Sequence, residues 1–139
     1  MRMTAAEITR VLTESFPGSM DFSVIEEISD DGLRLRVPYR PDFLRPGGTL
    51  AGPVLMSAAD TAVYFLILAN IGPELLAVTT SLDIHFLRRP APRDLVCQAR
   101  LLKLGRRLAV GDVLIYTDGD PAPVAQANVT YSLPVPDAA

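Results

Sequence analysis

Asp60 is the only charged residue between Thr49 and Ile71, and its neighbours Ser57, Ala58, Ala59, Thr61, Ala62, Val63 and Tyr64 are small, apolar or neutral. Burying an ionised carboxylate costs several kcal/mol unless a partner or a proton compensates it. Asp60 therefore either lies on a narrow polar stripe with Ser57, Thr61 and Tyr64, facing water or a partner, or serves as a general base or nucleophile at the edge of an apolar pocket. The second reading is the sharper one. Eight residues upstream, Gly47-Gly48-Thr49-Leu50-Ala51-Gly52-Pro53 opens the same segment. Glycines at a helix start let another backbone approach, and the free N–H groups there suit a developing negative charge. Pro53 fits the first helical position, where a missing N–H costs nothing. Gly52 and Asp60 would lie about 12 Å apart along a helix. One carbonyl group cannot touch both. Either the two do not cooperate, or antiparallel copies of the helix bring Gly52 of one chain to Asp60 of another, as a two-fold dimer does.

Other chemistries find little support. With one cysteine, Cys97, and one histidine, His85, neither an internal disulfide nor a zinc cluster is expected. Strand alternation sets Leu82, Ile84 and Phe86 toward the helix and His85 on the opposite face with Asp83, so catalysis by His85 is not expected. Ser15, Ser19 and Ser57 lack a neighbouring base, which argues against a serine hydrolase.

The positioning elements follow from the patterning. The 139 residues suit a single domain, 1–139, and 49% hydrophobic composition supplies a core, which excludes a disordered chain. Thr4 and Glu7 form a capping box before apolar positions Ile8, Val11, Leu12 and Phe16, predicting a helix within residues 1–18 that Pro17-Gly18 ends. Phe22–Ile28 and Leu33–Val37 flank Ser29-Asp30-Asp31-Gly32, a hairpin signal. A loop covers 41–48, and a buried helix is predicted over 53–70. Four extended segments follow, at 77–87, 94–104, 107–117 and 122–133, parted by Pro90-Ala91-Pro92, Gly105 and Asp118-Gly119-Asp120-Pro121. A meander of long strands after one apolar helix predicts a closed antiparallel sheet of five or six strands wrapped around that helix, an α+β class. Residues 49–71 are long enough to imitate a membrane span. Gly52-Pro53 and Asn70, Gly72 and Pro73 interrupt it, so it reads as the core helix of a protein with no membrane partner. The N-terminus lacks the apolar region of a signal peptide, and a cytoplasmic location is expected.

The stretch Gly48-Thr49-Leu50-Ala51-Gly52-Pro53-Val54-Leu55-Met56-Ser57-Ala58-Ala59-Asp60-Thr61-Ala62 resembles the signature helix of hotdog-fold acyl-CoA thioesterases of the PaaI type. Val78 to Ala91 looks like that family's next strand, and Gly105-Arg106-Arg107 and Ala125 to Tyr131 resemble its later hairpin and last strand. The resemblance implies a hotdog fold, a homodimer or dimer of dimers, and a pocket at the dimer interface. By position it implies Asp60 as the catalytic carboxylate, Gly52 as the N–H donor to the thioester carbonyl, and Thr80 as the residue that helps place the attacking water. Ala51 stands where the family usually has histidine, Arg45 where a related group has a polar amide, and Pro53 in place of the second glycine.

Seven basic residues, Arg88, Arg89, Arg93, Arg100, Lys103, Arg106 and Arg107, oppose only Asp94 within 88–107 of a chain whose net charge is −3. They form either a wet hairpin face that discourages edge aggregation or a clamp for coenzyme A phosphates, with Arg88, Arg89, Lys103, Arg106 and Arg107 as its contacts. No aromatic residues interleave them and the chain is acidic overall, so nucleic acid is not an expected partner. The expected activity is acyl-CoA hydrolysis with no separate cofactor, coenzyme A being part of the substrate. The alternative is a hotdog protein that binds an acyl-CoA or lipophilic acid without hydrolysing it. Ala51 and Arg45 favour the alternative; Asp60, Gly52 and Thr80 favour the enzyme.

Overall fold

The computed structural model describes residues 2–134. Helix α1 (Ala5–Ser15) opens with the expected capping box: Thr4 Oγ1 accepts from the Glu7 N–H at 3.2 Å, and Glu7 Oε1 accepts from the Thr4 N–H at 3.2 Å. Its buried residues are Ile8 and Leu12. Strands β1 (Val24–Ser29) and β2 (Gly32–Val37) form the hairpin, with Leu33, Leu35 and Val37 buried and Arg34 and Arg36 on the wetter face. Within the expected loop, Pro41–Phe43 makes one 3-10 turn. Helix α2 (Gly52–Ile71) is followed by β3 (Val78–Phe86), β4 (Leu95–Leu104), β5 (Leu108–Thr117) and β6 (Ala125–Ser132). The last strand starts three residues later than expected because Pro121 and Pro123 have no N–H to give to a ladder.

The six strands are ordered β1-β2-β4-β5-β6-β3, and every neighbouring pair is antiparallel. The sheet wraps the long helix: this is the α+β hotdog architecture. The expectation of a closed sheet is corrected, because β1 and β3 end the order as two separate edges. Among the described residues α2 alone is long and apolar enough to cross a membrane, and it forms the core here. Its small residues Ala58, Ala59 and Ala62 are fully buried and let the sheet come close. At Gly111 of β5 the approach leaves no room for a side chain: a Cβ there would sit 2.6 Å from Val63 Cγ2.

The two edges differ. Helix α1 packs beside β1. Along β3 no described residue covers Val78 (57% exposed) or Phe86 (53%), and Leu76 and Leu87 flank them, also exposed. A nine-residue edge strand left open in this way, with exposed Val78 and Phe86 at its two ends, is a template for another strand.

Candidate active site

Asp60 lies mid-way along α2, half-buried, and faces the start of β3 and the end of β6. Its Oδ1 accepts from Thr79 Oγ1 at 2.6 Å and from the Tyr131 hydroxyl at 2.8 Å. Tyr131 OH also lies 3.2 Å from the Asp60 backbone carbonyl oxygen. Thr79 and Tyr131 are directly opposed across the β3–β6 ladder, so one cross-strand pair presents both hydroxyls to the helix.

Thr80, expected to help place the attacking water, makes no hydrogen bond to Asp60 among the described residues. A β-bulge between Thr79 and Ser81 leaves Thr80 without a partner in the ladder, and its Oγ1 donates to the Thr130 carbonyl oxygen at 3.3 Å. Strict alternation back from Phe86, Ile84 and Leu82 would turn position 80 toward the helix. The extra residue shifts that phase by one and turns Thr79 inward instead. Sequence reasoning missed Thr79 because nothing local marks the bulge. Tyr131 was also missed, although Ala125, Ala127, Val129 and Tyr131 alternate as buried positions along β6. That period was a usable signal.

Tyr131 is buried and stacks on Tyr64, with ring centroids 5.9 Å apart and an interplanar angle of 24°. Burial, chiefly, raises its phenol far above the ordinary tyrosine range, and the Asp60 charge adds to the effect. Tyr131 therefore stays protonated and can act as a donor. Beside this pair opens a cleft of about 420 Å³ whose walls include Phe16, Thr61, Tyr64, Leu75, Thr79 and Tyr131. Its lining is largely apolar and aromatic, suited to an acyl or aryl group.

Gly52 belongs to a second cleft, of about 490 Å³, with Arg45, Thr49, Phe86, Arg88 and Arg89 among its walls. Val54 donates its N–H to the Ala51 carbonyl oxygen at 3.0 Å, and Pro53 has no N–H. Among the described residues no acceptor reaches the Gly52 N–H, which leaves it a free donor at this helix end. A side chain would not fit easily: a Cβ on Gly52 would stand 3.3 Å from Phe86 Cζ. A single chain does not unite Gly52 with Asp60. The glycine sits at the Phe86 end of β3 and the carboxylate at the Thr79 end.

The basic residues divide the same way. Arg88 and Arg89 follow the Phe86 end. Lys103, Arg106 and Arg107 surround the β4–β5 turn, which the Leu108–Ser132 and Ser132–Val78 pairings set at the other end of β3. A nine-residue strand separates the groups by about 26 Å. Among the described residues none of these five makes a salt bridge, whereas Arg100 pairs with Asp112 at 3.3 Å. Asp94 is taken by Arg36 at 3.2 Å and by the Tyr39 N–H at 2.7 Å.

His85 is exposed on the outer side of β3, 3.9 Å from Asp83. Burial pushes the Cys97 thiol up to about 12, so it carries almost no thiolate near neutral pH. Among the described residues no three His, Cys, Asp or Glu side chains gather as a metal ion would require. A concavity of about 520 Å³ on the outer sheet face, with Arg34, Arg100 and Asp112 in its walls, holds neither Asp60 nor Gly52.

Comparison with known proteins identifies the family. The thioesterase superfamily profile matches residues 47–124, a span that includes Gly52, Asp60, the β3 edge and the basic hairpin. A crystal structure of a candidate thioesterase from Silicibacter sp. TM1040 is 44% identical, covers 95% of this chain and 92% of its own, and superposes with a TM-score of 0.87. A phenylacetic acid degradation-related candidate thioesterase from Ralstonia eutropha JMP134 shares the fold at 24% identity and a TM-score of 0.78, over 90% of this chain and 98% of its own. A candidate esterase of Halobacterium salinarum is 27% identical over 110 residues, 76% of this chain and 72% of its own. The profile spans more than half of the chain and the fold agrees with it, so the chain belongs to the thioesterase superfamily.

Proposed function

We propose that the protein hydrolyses acyl-CoA thioesters at two equivalent sites, each shared between the protomers of a homodimer. One observation carries this reading: Gly52 and Asp60 bracket the same uncovered edge strand. Antiparallel pairing of β3 with a second copy, centred near Leu82, sets the partner's Phe86 beside Thr79 and so brings the partner's Gly52 toward Asp60. The same pairing joins Arg88 and Arg89 of one protomer to Lys103, Arg106 and Arg107 of the other. The exposed Val78 and Phe86 side chains at the strand ends are covered in the process.

In such a site Asp60 takes a proton from water as the oxygen attacks the thioester carbonyl carbon. The carbonyl electron pair moves to its oxygen, where the partner's Gly52 N–H and the positive end of α2 stabilise it. Collapse of that intermediate breaks the C–S bond, and the proton held by Asp60 passes to the leaving sulfur. The products are the free acid and coenzyme A. Direct attack by the Asp60 carboxylate, giving a mixed anhydride that water then opens, uses the same groups. The unpaired arginines and lysine supply phosphate contacts for the nucleotide end. Two such dimers could pair through surfaces that β3 leaves free.

Ala51 at the helix N-cap, where a histidine would add a further side chain, favours a second reading: acyl-CoA binding without turnover. Thiol release measured over short, medium, long and aromatic acyl-CoAs separates the two. Hydrolysis should appear with some of them and fall at least ~100-fold in Asp60→Asn, the scale of losing a general base. Circular dichroism should show that variant folded. Binding without thiol release from any substrate would establish the second reading instead.

A further inference from the structure

A carboxylate that acts as a base needs one oxygen held still and the other free to meet its substrate. At Asp60 the two oxygens are treated differently. Oδ1 accepts from Thr79 at 2.6 Å and from Tyr131 at 2.8 Å, while among the described residues no donor reaches Oδ2. We infer that Tyr131 is a positioning residue that, with Thr79, locks Oδ1 of Asp60 and presents Oδ2 as the working oxygen. This role rests on the reading of Asp60 as the base.

The two tethers are not equivalent. Thr79 is exposed on the edge strand, and its side chain turns about a single bond. Tyr131 is held on every side. Its backbone is paired to both Thr79 and Ala109, its ring stacks on Tyr64, and only 3% of it is exposed. A rigid phenol has little freedom left to lose when it donates, so its bond fixes the plane of the carboxylate at small entropic cost. The same hydroxyl lies 3.2 Å from the Asp60 carbonyl oxygen, so it meets helix backbone and side chain at one point. Its phenol, raised chiefly by burial, keeps its proton through the working pH range. The ring meanwhile forms part of the wall of the adjoining cleft. Removing only the oxygen therefore separates the tether from the wall.

Tyr131→Phe does this without altering the packing. For the best acyl-CoA substrate, kcat should fall about tenfold while KM stays within about twofold, the pattern of a group misplaced at the reacting centre with binding intact. Tyr131→Leu, which also removes the ring, should raise KM as well. A denaturant unfolding cycle reads the contact without any turnover. Tyr131→Phe should shift the unfolding constant about tenfold in the otherwise native protein and far less in the Asp60→Ala background. Equal shifts in both backgrounds would overturn the tether and leave the proposed activity standing. An unchanged kcat in Tyr131→Phe would overturn the positioning role even with the coupling present. A wild-type protein that releases no thiol from any acyl-CoA would remove Asp60 as a base and this role with it, whatever the unfolding cycle gives.

Discussion

Thr79 and Thr80 carry the same hydroxyl on neighbouring backbone positions, yet only the first reaches Asp60. The bulge decides between them, because one extra residue reverses which face each side chain takes. Thr79→Val should therefore lower thioester turnover about tenfold, having removed a charge-assisted hydrogen bond from the base. Thr80→Val should keep most of it, since its hydroxyl caps a strand carbonyl on the far side. Steady-state kinetics on the two folded variants checks this, and the opposite ranking would return the water-placing role to Thr80. Asp60 itself was legible from sequence, because a lone charge in an apolar helix is conspicuous by its cost. Its hydrogen-bond partners were not, because they lie 19 and 71 residues away along the chain.

At the level of elements, β3 is both a wall of the core and the carrier of the proposed site. Its inner face gives Leu82 and Ile84 to the helix, and its two ends meet Asp60 and Gly52. Arg88 and Arg89 lie at one of those ends and Lys103, Arg106 and Arg107 at the other, and among the described residues none of these five makes a salt bridge. If they hold nucleotide phosphates, replacing Arg106 and Arg107 together with glutamine should raise KM for an acyl-CoA about five- to tenfold, the size of two partly exposed ion contacts. KM for the matching acyl-pantetheine, which lacks the nucleotide, should hardly move. Equal losses for both substrates would mean that the arginines serve only as a wetted turn. Most element boundaries were readable because capping boxes, prolines and period-two alternation are local signals. The late start of β6 was also written in its prolines.

For the whole molecule the decisive quantity is the separation of Gly52 from Asp60, about 12 Å on one helix. A site shared across a two-fold axis allows two dead variants to rescue each other. Asp60→Asn removes the base, and Gly52→Val fills the donor position where even a Cβ stands 3.3 Å from the Phe86 ring. Each homodimer should be inactive. In a mixed dimer one site carries both lesions and the other neither. Random exchange makes half of the dimers mixed, so about a quarter of wild-type site activity should return. Subunit exchange verified by mass, with both variants folded, makes the measurement decisive. Mixed dimers as inactive as their parents would mean that Asp60 works with donors of its own chain.

Sequence alone determined the order of elements, the burial of the Gly52–Ile71 helix and the candidacy of Asp60 and Gly52, because hydrophobic period and the cost of a buried charge act over a few residues. Tertiary structure decided which threonine meets the carboxylate, that a tyrosine at the far end of the last strand holds it, and that the sheet stays open at β3. Those outcomes depend on register and on which strand becomes an edge. Both are set by pairing between segments far apart in the chain, and a bulge of one residue is enough to change them.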